Sequence, residues 1–181
     1  MSGIDPYYDF YLLTGHSNAF NTIVTIILFA LIIIGIYAIA SALMRRSEIS
    51  SQVHNLANNA IEMTPEQFMR MRNTRMGRGK YALTMNYPGV YILHNKTKNL
   101  YYVGQGKQVL NRVNAHFTGH GNGDVYADYK YGDQFTIRTI KLQGSGFSNL
   151  NDLERYCIRT YNAYSRGYNR TRGNKSNRSM W

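Results

Sequence analysis

The 181-residue chain has a single cysteine, Cys157. No intramolecular disulfide can form, and neither a multi-cysteine zinc site nor an iron–sulfur cluster can be built from it. A working part in a reducing compartment is the expectation. Acidic side chains are few, 10 Asp and Glu against 21 Lys and Arg, for a formal charge of +11. One long stretch has no charge at all: no Asp, Glu, Lys or Arg lies between Asp9 and Arg45. Apolar residues are plentiful, with 44% hydrophobic and 13% aromatic side chains, which excludes a disordered chain. The length suits one compact domain and an appendage rather than two full domains.

The uncharged stretch contains the run Thr22 to Met44, nearly unbroken Ile, Leu, Val, Ala and Phe. As a helix it would be roughly 34 Å long, enough for a hydrocarbon core of about 30 Å. A buried helix of a soluble protein would show a polar face, and Thr22, Thr25 and Ser41 do not make one. A cleavable secretory signal would carry a basic start, whereas Asp5 and Asp9 precede this run with no Lys or Arg. Residues 22–44 therefore predict one transmembrane helix and the lipid bilayer as a partner. Residues 45–181 hold all 21 basic side chains and 8 of the acidic ones, beginning with Arg45-Arg46. The positive-inside rule then predicts a single-pass protein with residues 1–21 outside and the C-terminal part in the cytoplasm. Tyr7, Tyr8, Phe10 and Tyr11 stand where an interfacial aromatic belt would lie.

Residues 45–86 read as a basic helical linker. Arg45 to Ile61 can continue the membrane helix. A second helix start is explicit at Thr64-Pro65-Glu66-Gln67, a hydroxyl cap, a proline in the first turn and a glutamine three residues after the cap. From Gln67 to Lys80 there are Arg70, Arg72, Arg75, Arg78 and Lys80 and no acid, a pattern that suits phosphate or lipid headgroups as well as a solvated linker.

Beyond Tyr87-Pro88 the pattern changes. Gly89 to Leu93 is a β-branched and aromatic run, Asn95 to Asn99 a turn, and Leu100 to Gly104 a second strand, which predicts a hairpin. Leu110, Val113 and Phe117 recur at helical spacing, so residues 107–118 predict an amphipathic helix with Arg112 and His116 on one face. Residues 119–132, with several glycines, read as a mobile loop. Gln134 to Leu142 alternates with period two and predicts a third strand; Asn151 predicts the cap of a last helix to about Tyr164. Cys157 falls on its apolar face and reads as core. Residues 174–181 form a basic tail, continuing the run of Arg166, Arg170 and Arg172.

Two tripeptides ten residues apart, Gly89-Val90-Tyr91 and Tyr102-Val103-Gly104, resemble the paired motif of the GIY-YIG nuclease superfamily, with valine in place of isoleucine in both. Downstream come Arg112, His116, Glu154 and Asn169 in the family's order, and residues 87–173 cover roughly half the chain. The resemblance implies a small α/β sandwich with a three-stranded antiparallel sheet flanked by helices. It implies a metal-dependent endonuclease acting on nucleic acid, most readily DNA. By resemblance, Tyr91 takes or relays the proton of the attacking water and Tyr102 shares that role. Arg112 grips the phosphate, His116 donates to the phosphate or assists proton transfer, and Asn169 holds the geometry. Glu154 ligates one divalent metal, Mg²⁺ or Mn²⁺, and Gly104 lets the backbone pass close to the site. Lys107, Arg70, Arg72, Arg75, Arg170 and Arg172 are expected to contact phosphates without reading sequence, since no specificity module accompanies the domain.

Taken singly, each of these residues has a plainer reading: tyrosines that pack, an arginine in solvent, a glutamate in a helix's first turn. Their joint order is the signal. His116, His120 and Asp124 recur every four residues, a spacing a zinc ion could use, but the intervening glycines argue against one continuous helix there. A rival reading keeps the fold and drops the reaction, leaving a membrane tether that binds DNA or RNA through its basic surface. Oligomeric state is not legible.

Overall fold

The computed structural model describes residues 6–72 and 86–174. The chain divides into two units, Met1–Ser47 and Glu48–Trp181. Among the described residues there are five helices and three strands: α1 (Pro6–Asn58), α2 (Pro65–Arg72), β1 (Gly89–Asn95), β2 (Leu100–Gly106), α3 (Val109–Phe117), α4 (Gly123–Lys130), β3 (Phe135–Lys141) and α5 (Leu150–Thr160).

In the first unit, α1 carries the apolar run. Its most apolar stretch has a mean hydropathy of 3.0 with none of it buried, so the helix is long and apolar enough to cross a membrane. Two hydroxyls of the apolar run bond back to the helix itself. The Thr25 hydroxyl donates to the carbonyl of Asn21 at 2.8 Å and that of Ser41 to the carbonyl of Ala38 at 2.9 Å.

The second unit is a three-stranded antiparallel sheet in the order β2-β1-β3, covered on both faces. Central β1 is buried along almost its whole length because its alternate side chains enter two cores. Val90 and Ile92 join Val103, Ile140, Leu153, Cys157 and Ile158 on one face. Tyr91 and Leu93 join Val109, Val113, Phe117, Phe135 and Ile137 on the other. Each such side chain removed from water contributes about 1.5–3 kcal/mol.

Residues 48–72 do more than join the apolar helix to the sheet. Val53 and Ala57 of α1 enter the first core and Phe68 of α2 the second. The α2 start is a reciprocal capping box, with the Gln67 amide N–H donating to the Thr64 hydroxyl at 3.3 Å and the Thr64 N–H to Gln67 Oε1 at 2.9 Å. Just before it, Met63 exchanges backbone hydrogen bonds of 3.0 and 2.8 Å with Ile137 and so covers the outer edge of β3.

Two expectations are corrected. Residues 123–130 are helical, not loop. Asn122 caps α4 by accepting from the N–H groups of Asp124 and Val125 at 3.0 and 3.1 Å. Gly119 and Gly132 lie outside the helix, at positive φ of 85° and 101°, where glycine ends structure rather than breaking it. The cap of α5 is Asn149, whose side chain accepts from the Asp152 N–H at 2.8 Å, whereas Asn151 lies in the first turn.

Candidate active site

The register of the β1–β2 ladder sets the geometry. Tyr91 is directly opposite Gly104, and Tyr102 is opposite Leu93, so the two tyrosines are diagonal neighbours on one face, with ring centroids 6.1 Å apart. A diagonal pair of long side chains still reaches contact. From α3, anchored by buried Val109, Val113 and Phe117, His116 drops into the same pocket of rings. Its Nε2 is 2.9 Å from the Tyr91 hydroxyl, and its ring is centred 4.6 Å from that of Tyr102. Tyr91 and His116 are both about 1% exposed, while Arg112, one turn earlier, is exposed at the rim.

Burial dominates the electrostatics. It pushes the Tyr91 phenol far above its ordinary value; the neighbouring Tyr102 pushes the same way and the Arg112 guanidinium opposes both. Tyr102 is also raised, by burial first. His116 is pushed down to about 4, first by burial and then by the positive charge of Arg112. Glu154, buried in the first turns of α5, is held above the ordinary carboxylate range by burial. Gln105 and Arg112 act in the opposite direction on it.

Glu154 is oriented from β2. The Gln105 side-chain N–H₂ donates to Glu154 Oε2 at 3.0 Å and to Asn151 Oδ1 at 2.6 Å. Sequence reasoning missed both Gln105 and Asn151. Gln105 follows the Tyr-Val-Gly motif directly, and Asn151 stands three residues before Glu154, one helical turn away. Asn169 is bonded to the β2 main chain. Its side-chain amide pairs with the main chain of Val103, accepting from the N–H at 2.8 Å and donating to the C=O at 2.7 Å, as a neighbouring strand would. With the Tyr168 N–H donating to the Tyr101 carbonyl at 2.9 Å, this closes the free edge of β2 beneath the tyrosines.

Residues 87–169 match the family model of the GIY-YIG catalytic domain. This part of the chain is a GIY-YIG domain. A similar curated protein is the UvrABC system protein C of Desulfitobacterium hafniense (strain Y51), 39% identical over 54 residues. That match covers 30% of this chain and 9% of the relative's length. No solved structure matches the chain significantly.

The basic side chains are spread around the GIY-YIG domain and the helices joined to it. Lys107, at the end of β2, and Arg70, on α2, are exposed. Arg170 is 3.3 Å from the Asp124 carboxylate with its side chain 79% exposed, and the Arg172 guanidinium lies 5.3 Å above the Tyr164 ring. The Arg72 side chain and all of Arg75 lie outside the described residues. The zinc reading finds no support in the arrangement. His116 faces Tyr91, His120 faces the Thr118 hydroxyl and Asp124 faces Arg170, and among the described residues no three His, Cys, Asp or Glu side chains converge. Cys157 is fully buried and its thiol is pushed up to about 12, which leaves it inert.

Proposed function

We propose that the chain is a membrane-anchored, divalent-metal-dependent endonuclease that hydrolyses phosphodiester bonds, preferentially in DNA and with low sequence specificity. The supporting observation is the gathering, from β1, β2, α3 and α5, of a buried phenol, a half-buried one, an imidazole, a guanidinium at the rim and an oriented carboxylate. Among the described residues Arg112 makes no ion pair, yet its charge acts on Tyr91, Tyr102, His116 and Glu154 alike. An arginine in that position is free to grip the non-bridging oxygens of a phosphodiester with its planar fork.

Hydrolysis needs a water activated for attack and the charge on phosphorus neutralised. Once the Tyr91 phenol has lost its own proton to solvent by way of Tyr102, its oxygen takes the proton of the attacking water. His116 holds the phenol oxygen, and the charge of Arg112 favours its anionic form. Asn169 keeps β2, and so Tyr102, in register. The donor set suits a hard cation: Glu154 is one carboxylate, already aimed by Gln105, and its burial leaves negative charge there in want of a partner. Glu154 would hold Mg²⁺ or Mn²⁺, which when bound supplies charge neutralisation at the phosphate and the leaving oxygen.

The basic surface supplies contacts to phosphates, with Arg70, Lys107, Arg170 and Arg172 as candidates and Arg72 and Arg75 as further ones. Such contacts fix position and carry no base information, hence the low specificity. Residues 22–44 anchor the chain in the bilayer, and the absence of Lys and Arg before Arg45 favours a cytoplasmic GIY-YIG domain. The test is incubation of the full chain, in detergent, with supercoiled plasmid and Mg²⁺ or EDTA. Mg²⁺-dependent nicking lost in Arg112→Ala and Glu154→Gln supports the reading. Salt-sensitive binding without cleavage, unaffected by Glu154→Gln, would instead make the protein a nucleic-acid tether. Protease protection in sealed vesicles tests the orientation.

A further inference from the structure

The α3–α4 connection does something to His116 that neither the family match nor the relative assigns. The backbone N–H of Asn122 points at His116 Nδ1, 2.9 Å away. The approach is this close because residue 121 is glycine: a Cβ there would sit 2.6 Å from Nδ1 and 2.7 Å from Cγ of the imidazole. Asn122 is itself held on both sides. Its Oδ1 caps α4, and its Nδ2 donates to the Tyr168 carbonyl at 3.1 Å. Tyr168 in turn is fixed through its hydroxyl, which accepts from Asn95 and donates to Asp128, both at 2.7 Å.

An amide N–H can only donate, so Nδ1 must present its lone pair. A neutral imidazole has one N–H, and that proton is then on Nε2, the atom facing the Tyr91 hydroxyl. We infer that the Gly121-Asn122 backbone fixes the tautomer of His116, making it a hydrogen-bond donor to the Tyr91 oxygen, with Asn122 a positioning residue for the reaction. The inference rests on the reading of Tyr91 as the reacting phenol.

Two consequences follow. His116 cannot take the Tyr91 proton while the Asn122 contact stands; it supports negative charge on the Tyr91 oxygen instead. The Tyr91 O–H is turned away from His116, toward the side where the Tyr102 ring lies. Protonating His116 would set Nδ1–H against the Asn122 N–H, donor against donor. The contact therefore resists a second proton in the same sense as burial and the Arg112 charge, which hold His116 at about 4. The remaining titratable groups facing the ring are Tyr91 from β1 and Tyr102 from β2.

The test reads the tautomer directly. The full chain is labelled with ¹⁵N-histidine, held in detergent near neutral pH, and examined by long-range ¹H–¹⁵N correlation; the five histidines are sorted by the spectrum of His116→Gln. The expected result is an unprotonated Nδ1 and a protonated Nε2 at His116. Asn122→Pro deletes the N–H at a φ of −75°, which proline adopts, and is expected to move proton occupancy onto Nδ1 and lower turnover roughly tenfold or more. Gly121→Ala, which pushes the loop off the ring, should do the same. Asn122→Asp keeps the N–H and the α4 cap and loses the bond to Tyr168, so the tautomer should stay. A wild-type His116 protonated on Nδ1, or a folded Asn122→Pro protein with an unchanged tautomer, would overturn the inference. Should Asn122→Pro not fold, the wild-type spectrum decides alone. The expected tautomer in a protein that cuts nothing would sink the nuclease reading and with it the part of Asn122 in a reaction, and would leave the tautomer assignment standing.

Discussion

Gly104 lies directly across the β1–β2 ladder from Tyr91, and the Tyr91 hydroxyl fills the space that a side chain on Gly104 would need. The glycine of the second motif is thus the seat of the tyrosine of the first. Gly104→Ala would displace a buried ring and break its 2.9 Å contact with His116. The expected outcome is a loss of cleavage of about 100-fold, because a misplaced reacting group costs that much, with a stability loss of only about 1–3 kcal/mol. Plasmid-nicking rates and denaturant melts of the same preparation check both. Wild-type turnover in that variant would mean that the phenol's position does not matter.

Much of this arrangement was legible in the residues, and what was not has a physical reason. The capping box at Thr64 to Gln67 and the hairpin of β1 and β2 rest on local chemistry, and both form as the spacing predicts. Helix α4 was hidden because glycine is a poor helix former in the interior, while here Gly123 opens the helix and Gly119 and Gly132 flank it. Asn151 resembled a cap because it precedes the apolar positions of α5; Asn149, with its bond to the Asp152 N–H, is the residue that does the capping. Val53, Ala57 and Phe68 stand far apart among polar neighbours, so only tertiary packing shows that they belong to the cores. The tyrosine pair was legible as a motif. Gln105, which aims Glu154, was not, because its partner is 49 residues away.

His116 gives the protein a pH dependence with a definite sign. Its folded value is near 4 and its unfolded value near the usual 6.5, so between these the unfolded chain binds more protons and stability falls as pH falls. The full effect is worth roughly 3 kcal/mol. His116→Gln should flatten the stability profile between about pH 4 and 6.5 in denaturant melts. Cleavage should show no histidine limb in the same range. It should instead rise about tenfold per pH unit toward alkaline pH, because burial keeps Tyr91 protonated and the phenolate is the scarce form.

Asn169 should act through the sheet edge. Asn169→Ala leaves the Val103 N–H and C=O without their side-chain partners, at a cost of about 1–3 kcal/mol each if they stay dry. The expected phenotype is a destabilised domain with Tyr102 loosened. Cleavage should recover in part under conditions that restore folding, which a comparison of melts and rates will show. Loss of cleavage with unaltered stability would point to a direct part in the chemistry.

Glu62 supplies a second acid-sensitive element, remote from the tyrosines. It pairs with Arg138 at 2.6 Å and Lys96 at 3.0 Å, and these partners, the Arg138 hydrogen bond foremost, hold its carboxyl down to about 2. A depressed carboxylate contributes stability above its unfolded value, near 4.5, and loses it as pH falls toward the folded one. Glu62→Gln should therefore lower stability at neutral pH and remove part of the acid dependence between about pH 2 and 4.5, with cleavage rates unaffected.

The central claim is that the tyrosines, Arg112 and Glu154 form one phosphodiester-cleaving site. Its most direct test is the rate at which the full chain nicks supercoiled plasmid with Mg²⁺, measured beside Tyr91→Phe, Arg112→Ala and Glu154→Gln proteins shown to be folded. The account predicts Mg²⁺-dependent nicking abolished by EDTA and by each substitution. Nicking that persists at the wild-type rate in all three variants, or a folded wild-type protein that binds plasmid and never cuts it with either Mg²⁺ or Mn²⁺, would contradict it.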